Sequence, residues 1–526
     1  MKRTWGLLLF MVLLVAGAAA CRSTPPPKRV LLEVDGTRRW LTTSAETVAD
    51  MLAEQGVALG DLDRVEPPSF TLLEDGMRVR VVRVQERFVD EDVPLPYTRE
   101  TRRDATLPRG EIRVVQLGQV GRERLRWRIL SENGVEVSRE VASRETLATP
   151  QPEIVVLGTL GALEQVPISG TLVYRAGGNA WVMRGNNTPR ALTTTGDLDG
   201  HVFALSPDGR WLLFTRKPIG GNVGQGGPIN SLWLVRTDIV DDEPRYLETD
   251  SVLWADWRPC LPQQGRACPP EQYEIGYSTA ERTPNPPGWK ARNDFWLLSL
   301  NGDGTLLTRR EIGEPVGAEW YAWWGREWAW SPDGRLAAWG SATALGVLNV
   351  ATRQHTVLTT FYPYETLAAW VWTPRPAWRS DGEWLAAVVH APSPRALRPD
   401  RSERFDLWLL PMSVSAPPVP IAENVGMWAM PAWSPTALEL AYAQAEAPDG
   451  SALSRYALML MDADGSNRRR LFPANDTPGM ELPRFVWSPD GEALAAIWQG
   501  DLYLVARDGT ATPLTATGDV THLDWR

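Results

Sequence analysis

Four arginines, Arg122, Arg124, Arg126 and Arg128, stand at alternate positions. Successive side chains of a strand point to opposite faces, so these four share one face and suit an anionic polymer. A second group, Arg395, Arg398, Arg401 and Arg404, lies in one of four long stretches (216–230, 280–293, 391–405 and 445–455). Together these stretches hold ten cationic residues against five carboxylates, on a chain of net charge −10. A basic rim on an acidic molecule attracts anions and makes their capture salt-sensitive. An ordinary solvated face is the plain alternative for both groups. Cys260 and Cys268 bracket a short loop. They can bridge, whereas a lone Cys pair with no His nearby lacks the four ligands of structural zinc.

The four His are scattered, which disfavours a His-based catalytic or metal cluster; His201 and His522 occupy equivalent strand positions and are candidates to line a channel. Asp462-Ala-Asp464-Gly465 begins like a calcium loop but lacks the spaced acids and terminal Glu, so it reads as a hairpin turn. No nucleophile elbow, phosphate loop or dinucleotide fingerprint stands in a fitting context. No catalytic residue, metal or cofactor is therefore assigned. The acidic balance makes no case for nucleic acid. With 43% hydrophobic and 22% charged residues the chain is globular, and its 44 Gly and 43 Pro punctuate many short segments, the mark of a mainly β protein.

The N-terminus is an address. Met1-Lys2-Arg3 is basic, Leu7 to Val15 apolar and Ala16 to Ala20 small, the pattern of a secretory signal. With Cys21 at the junction it resembles a bacterial lipoprotein signal. The resemblance implies a signal peptide over 1–20, a lipid on Cys21, a Pro-rich tether over 21–28, and a protein held on the outer side of the cell membrane. Exported proteins keep disulfides, so Cys260 and Cys268 are expected to be bridged.

Two small modules follow. Over 29–85, a hairpin turns at Asp35-Gly36, Val48, Met51 and Leu52 share one face of a short helix ending at Gly56, and a last strand runs through Met77-Arg-Val-Arg-Val. This order resembles the α+β ubiquitin-like repeats that precede the G-five domain in resuscitation-promoting factors and related cell-wall proteins. Over 86–160, Gly110, Gly118, Gly121, Gly134 and Gly158 stand where the G-five domain, a thin β-sheet module, has its named glycines. The resemblance implies contact with wall polymers containing N-acetylglucosamine.

Residues 165–526 form a repeat array. Leu205-Ser-Pro-Asp-Gly209, Trp330-Ser-Pro-Asp-Gly334, Trp378-Arg-Ser-Asp-Gly382, Trp433-Ser-Pro435 and Trp487-Ser-Pro-Asp-Gly491 each precede a strand, and Trp257-Arg-Pro259 is a degenerate copy. Four strands per unit make a β-propeller blade, and the repeat resembles those of TolB and dipeptidyl-peptidase propellers. Segments near 170–174, 180–183 and 189–193 lack a first strand that 520–525 can supply, so seven blades are expected. Six is the alternative, as the TolB resemblance implies. The Trp ending each first strand is expected in the core, while Trp320, Trp323, Trp324 and Trp328 crowd one connection and are candidates for a sugar platform. The expected function is a membrane-anchored binding protein. Its G-five module would contact peptidoglycan or another anionic wall polymer, and its propeller a protein or glycan. The alternative is a carbohydrate-active hydrolase using channel carboxylates.

Overall fold

The computed structural model describes residues 26–108, 111–161, 163–218, 227–260, 272–313, 320–393, 396, 398–413 and 416–526, arranged as two compact units. The first unit comprises the described residues up to Thr98 together with Gly118–Gln151. Strands Lys28–Val34, Thr37–Thr43, Arg64–Glu66 and Arg78–Val82 form a sheet in which the first and last strands run parallel. Helix Val48–Glu54 packs Val48, Met51 and Leu52 against Val30, Leu32, Val79 and Val81. The helix starts where the Thr47 hydroxyl accepts from the Asp50 N–H and the Asp50 carboxylate accepts from the Thr47 N–H.

The same unit holds an antiparallel sheet of Val84–Leu95, Gly121–Glu132 and Val135–Ala148. Only one face of its middle strand is apolar, with Leu125, Trp127 and Ile129 buried. Arg83 ties sheet to helix module: it donates to Asp35 (2.7 Å), Asp63 (2.8 Å) and the Ala58 carbonyl (2.6 Å), while its own N–H donates to Asn133 in the hairpin turn.

The second unit comprises Arg99–Leu117 and Pro152–Arg526. The strands of the segment 86–160 thus form two thin sheets, one in each unit. The later sheet places Glu153–Leu160 between Arg99–Pro108, parallel, and Ile112–Gln116, antiparallel.

Among the described residues seven antiparallel sheets follow, here I to VII. Sheet I holds Pro167–Ala176, Asn179–Asn186 and Arg190–Ala191, with His522–Trp525 as its first strand, paired antiparallel to Pro167–Ala176. Each later sheet is a meander whose first strand is Leu198–Leu205 (II), Val252–Trp257 (III), Glu327–Trp330 (IV), Ala377–Trp378 (V), Ala432–Trp433 (VI) or Phe485–Trp487 (VII). Each first strand lies beside the next, and His522–Trp525 touches those of both II and VII, completing the circuit.

One bond recurs along this circuit. The indoles of Trp257, Trp330, Trp378, Trp433 and Trp487 donate to the carbonyls of Ala204, Asp256, Ala329, Ala377 and Ala432, each the penultimate residue of the preceding first strand. Each ring is buried between neighbouring sheets, as expected from sequence. The turn after it is also repeated. In Ser488-Pro-Asp-Gly491 the Ser hydroxyl donates to Asp490 (2.5 Å) and accepts from the Ala493 N–H (3.0 Å). Gly491 takes φ +73°, and a Cβ there would collide with Thr436 of sheet VI, so only glycine fits. Replacing Trp378 with Phe removes one indole bond and part of the ring, and should lower unfolding stability by about 1–2 kcal/mol in a denaturant titration. An unchanged midpoint would show that the bond contributes nothing.

Candidate functional site

Alternating strand direction brings three kinds of segment to one end of the seven-sheet ring: the starts of first strands, the loops between second and third strands, and the connections from one sheet to the next. The connections entering IV, V and VI each carry a Trp shortly before the first strand: Trp324, Trp370 and Trp428. These half-buried rings, with Glu327, Thr373, Arg375, Met427 and Met430, line a cleft enclosing about 560 Å³, solvent at its mouth included. Trp370 and Trp428 lie 5.7 Å apart at 33°, and Trp324 packs on Trp289 at 5.0 Å. Hydrogen bonds fix the frame: the Thr366 hydroxyl donates to the Trp370 carbonyl (2.5 Å), and the Trp372 indole to the Met427 carbonyl (3.0 Å). Aromatic faces beside a polar rim suit a ligand with both apolar and hydroxylated surfaces.

The polar rim is ionic. Arg375 pairs with Glu327 at 3.2 Å. Arg375 and Arg175, the latter in sheet I, lie near enough to Arg484, at the start of VII, to act on it electrostatically. Burial, then Arg375, lowers the Arg484 pKa to about 10. Burial, then Arg484, Arg175 and Arg375, lowers that of His522 to about 3, so its ring is neutral. On the neighbouring first strand burial works against the Asp199 charge, but hydrogen bonds from His201 and Thr215 outweigh it and lower its pKa to about 2.

Near the other end of the first strands sit two carboxylates, Asp256 and Asp524, where the equivalent positions are Ala204, Ala329, Ala377, Ala432 and Val486. Asp524 accepts from the Leu205 N–H (2.7 Å) and the Trp525 N–H (2.8 Å), and lies 3.4 Å from Arg526. Burial, with repulsion from Asp524 added, raises the Asp256 pKa to about 6.

The residues singled out from sequence fall as follows. Arg122, Arg124, Arg126 and Arg128 do share one face, but each meets a carboxylate: Asp92 lies 3.4 Å from Arg122 and 2.7 Å from Arg124, Asp90 lies 3.8 Å from Arg126, and Glu86 and Glu140 hold Arg128. Arg398 and Arg401 converge on Glu365 at 3.4 and 3.1 Å, Arg398 also holds Asp400, and Arg404 holds Asp406 at 2.9 Å. Arg395, Cys21 and Cys268 lie outside the described residues; Cys260 is disulfide-bonded. His201 and His522 sit at the starts of their strands, and Asp462 to Gly465 form a turn closed by the Gly465 N–H on the Asp462 carbonyl (2.9 Å). Of the crowded tryptophans, Trp324 lines the cleft, Trp328 is buried and Trp320 is exposed. Among the described residues no group of three or more His, Cys, Asp or Glu is placed to hold a metal ion. Sequence reasoning missed Trp370, Trp428 and Arg484. The available signal was the Trp recurring in successive connections.

Comparison with known proteins agrees with the N-terminal reading. Residues 86–160 match the G5 domain and residues 30–69 the G5-linked ubiquitin-like domain, so the chain carries both. Over 166 residues it is 28% identical to Resuscitation-promoting factor RpfB of Mycolicibacterium smegmatis (strain ATCC 700084 / mc(2)155), a match covering 30% of this chain and 46% of that protein. It therefore spans less than half of that relative's length. Among solved structures, the tricorn protease is similar over 78% of this chain and 44% of that one, at 10% identity and a TM-score of 0.42. A TolB described as putative, from Agrobacterium tumefaciens, is similar over 63% of this chain and 96% of its own, at 16% identity and a TM-score of 0.32.

The raised Asp256 pKa carries a sign. A carboxyl that holds its proton more tightly when folded supports stability below its unfolded pKa, and that support is lost as pH rises through about 6. Asp256→Asn should therefore raise stability at pH 7.5, by up to about 3 kcal/mol, with the gain vanishing near pH 4. Melting curves of both proteins at the two pH values check this; an equal effect at both would contradict it.

Proposed function

We propose that the chain is an extracytoplasmic, wall-associated binding protein, tethered to the membrane by a lipid on Cys21 and lacking a catalytic step of its own. Its G5 and ubiquitin-like domains contact peptidoglycan, and sheets I to VII are the blades of a seven-bladed propeller whose aromatic cleft takes a saccharide. The circuit of first strands supports the blade count, and the matched G5 and ubiquitin-like domains support the wall association. The cleft itself carries the saccharide reading. Trp324, Trp370 and Trp428 present apolar faces a sugar ring can cover, and Glu327, Arg375 and Thr373 offer hydrogen bonds to its hydroxyls. Hydrolysis by two carboxylates needs both at the bound sugar. Glu327 is the one carboxylate among the described residues lining the cleft, and it is held by Arg375.

Replacing Trp370 and Trp428 together with Ala should weaken binding of soluble peptidoglycan oligosaccharides by tenfold or more, since two lost stacking contacts exceed about 1.4 kcal/mol. Calorimetry on the full chain decides it. Equal affinity in parent and variant would remove the cleft from the account, and release of new reducing ends would favour the hydrolase instead. For the anchor, Cys21→Ala should move the protein from the membrane fraction to the soluble one or leave an unprocessed precursor. Unchanged size and lipid labelling would refute lipidation.

A further inference from the structure

The cationic groups at the start of the first strands have no structural task that accounts for all of them. Arg375 has Glu327, and Arg175 donates to the Thr521 hydroxyl (2.8 Å) and the Leu198 carbonyl (2.6 Å). The Arg175 Nε–H, however, is buried without an acceptor. Arg484 stands between sheets VII and I with no ion pair to a carboxylate among the described residues. Asp199, on the next strand, is already committed to His201 and Thr215. Three guanidinium groups near one another with Glu327 as the one carboxylate paired among them cost desolvation and mutual repulsion, and a buried donor left unmade adds to that cost. An anion between them would relieve both. His522, kept neutral by burial and then by those same cations, is an acceptor or donor beside them without adding charge.

This cluster adjoins the aromatic cleft through Arg375, which belongs to both. We infer that the cleft selects an acidic saccharide, its ring against Trp370 and Trp428 and its carboxylate or phosphate at Arg375, Arg484 and Arg175. This deepens the saccharide reading and rests on it. Guanidinium groups suit either oxyanion, because both present two oxygens to a planar fork of N–H donors.

The test measures affinity of the full chain for three probes of equal length at low and moderate salt. They are a neutral N-acetylglucosamine oligosaccharide, one bearing carboxylates on alternate sugars, and one bearing a terminal phosphate. The acidic probes should bind at least tenfold more tightly than the neutral one, with the advantage shrinking as salt rises. The better of the two names the anion. Arg484→Gln should bring the ratio close to one while leaving affinity for the neutral probe within twofold. If Arg484→Gln melts early, Arg375→Gln replaces it, since Arg375 is half-exposed at the rim; it should weaken the neutral probe as well, through its lost hydroxyl contacts, and the acidic probes more, so that the ratio still falls towards one. Equal affinity for neutral and acidic probes in the parent, or an unchanged ratio in a folded variant, overturns the anion site and leaves the saccharide reading standing. Failure of all three probes to bind overturns both.

Discussion

The second unit depends on a single repeated bond, from the indole N–H of a first-strand Trp to a carbonyl of the preceding first strand. It sets the spacing between sheets while burying a large ring between them, so each sheet is positioned by its neighbour. Sheet I interrupts the pattern on both sides. The Trp525 indole donates to the Ser169 carbonyl of its own sheet (2.6 Å), and Leu205 stands where sheet II would have its Trp. Asp524 takes over at that junction by accepting from the Leu205 N–H, which explains a carboxylate where most equivalent residues are small and apolar. Sheet I is also where distant parts of the chain meet, the last strand pairing with Pro167–Ala176.

What the ring requires is concentrated in the first strands and their Ser-Pro-Asp-Gly turns, which leaves the opposite end free to vary. That end carries the long loops, the aromatic cleft and the cationic cluster. It also receives the later G5 sheet. Arg103 donates to Asp501 and to the Ala516 carbonyl (both 2.6 Å), Arg99 donates to the Leu453 carbonyl (2.9 Å), and Glu153 pairs with Arg455. Asp501 and Glu153 are almost fully buried, so removing either partner would strand a charge away from water, a loss of about 3–5 kcal/mol. Part of the G5 domain is thereby fixed to the face that holds the cleft.

The turns, the repeat and the closing strand were legible in the sequence because their chemistry is local: Pro, Asp and Gly specify a turn wherever they stand, and three strands without a fourth imply a missing partner. The ubiquitin-like and G5 modules were legible from the order of their segments, the placing of their glycines and their resemblance to known modules. The arginine groups were legible only as charge. Whether Arg124 is available depends on Asp92, which lies on another strand and enters its neighbourhood only through strand register. Trp370 and Trp428 were hidden because, although a Trp recurs in successive connections, its distance from the following first strand varies, and the pairing of the G5 strands was hidden because nothing local tells a strand which sheet it will join.

The central claim is that the aromatic end of the ring is the ligand site. Amide hydrogen exchange of the full chain, with and without peptidoglycan oligosaccharides, tests it most directly. The account predicts new protection in the connections around 320–326, 364–376, 424–431 and 480–485. Protection confined to Gly121–Glu132 and its neighbouring strands, with those connections unchanged, would contradict it.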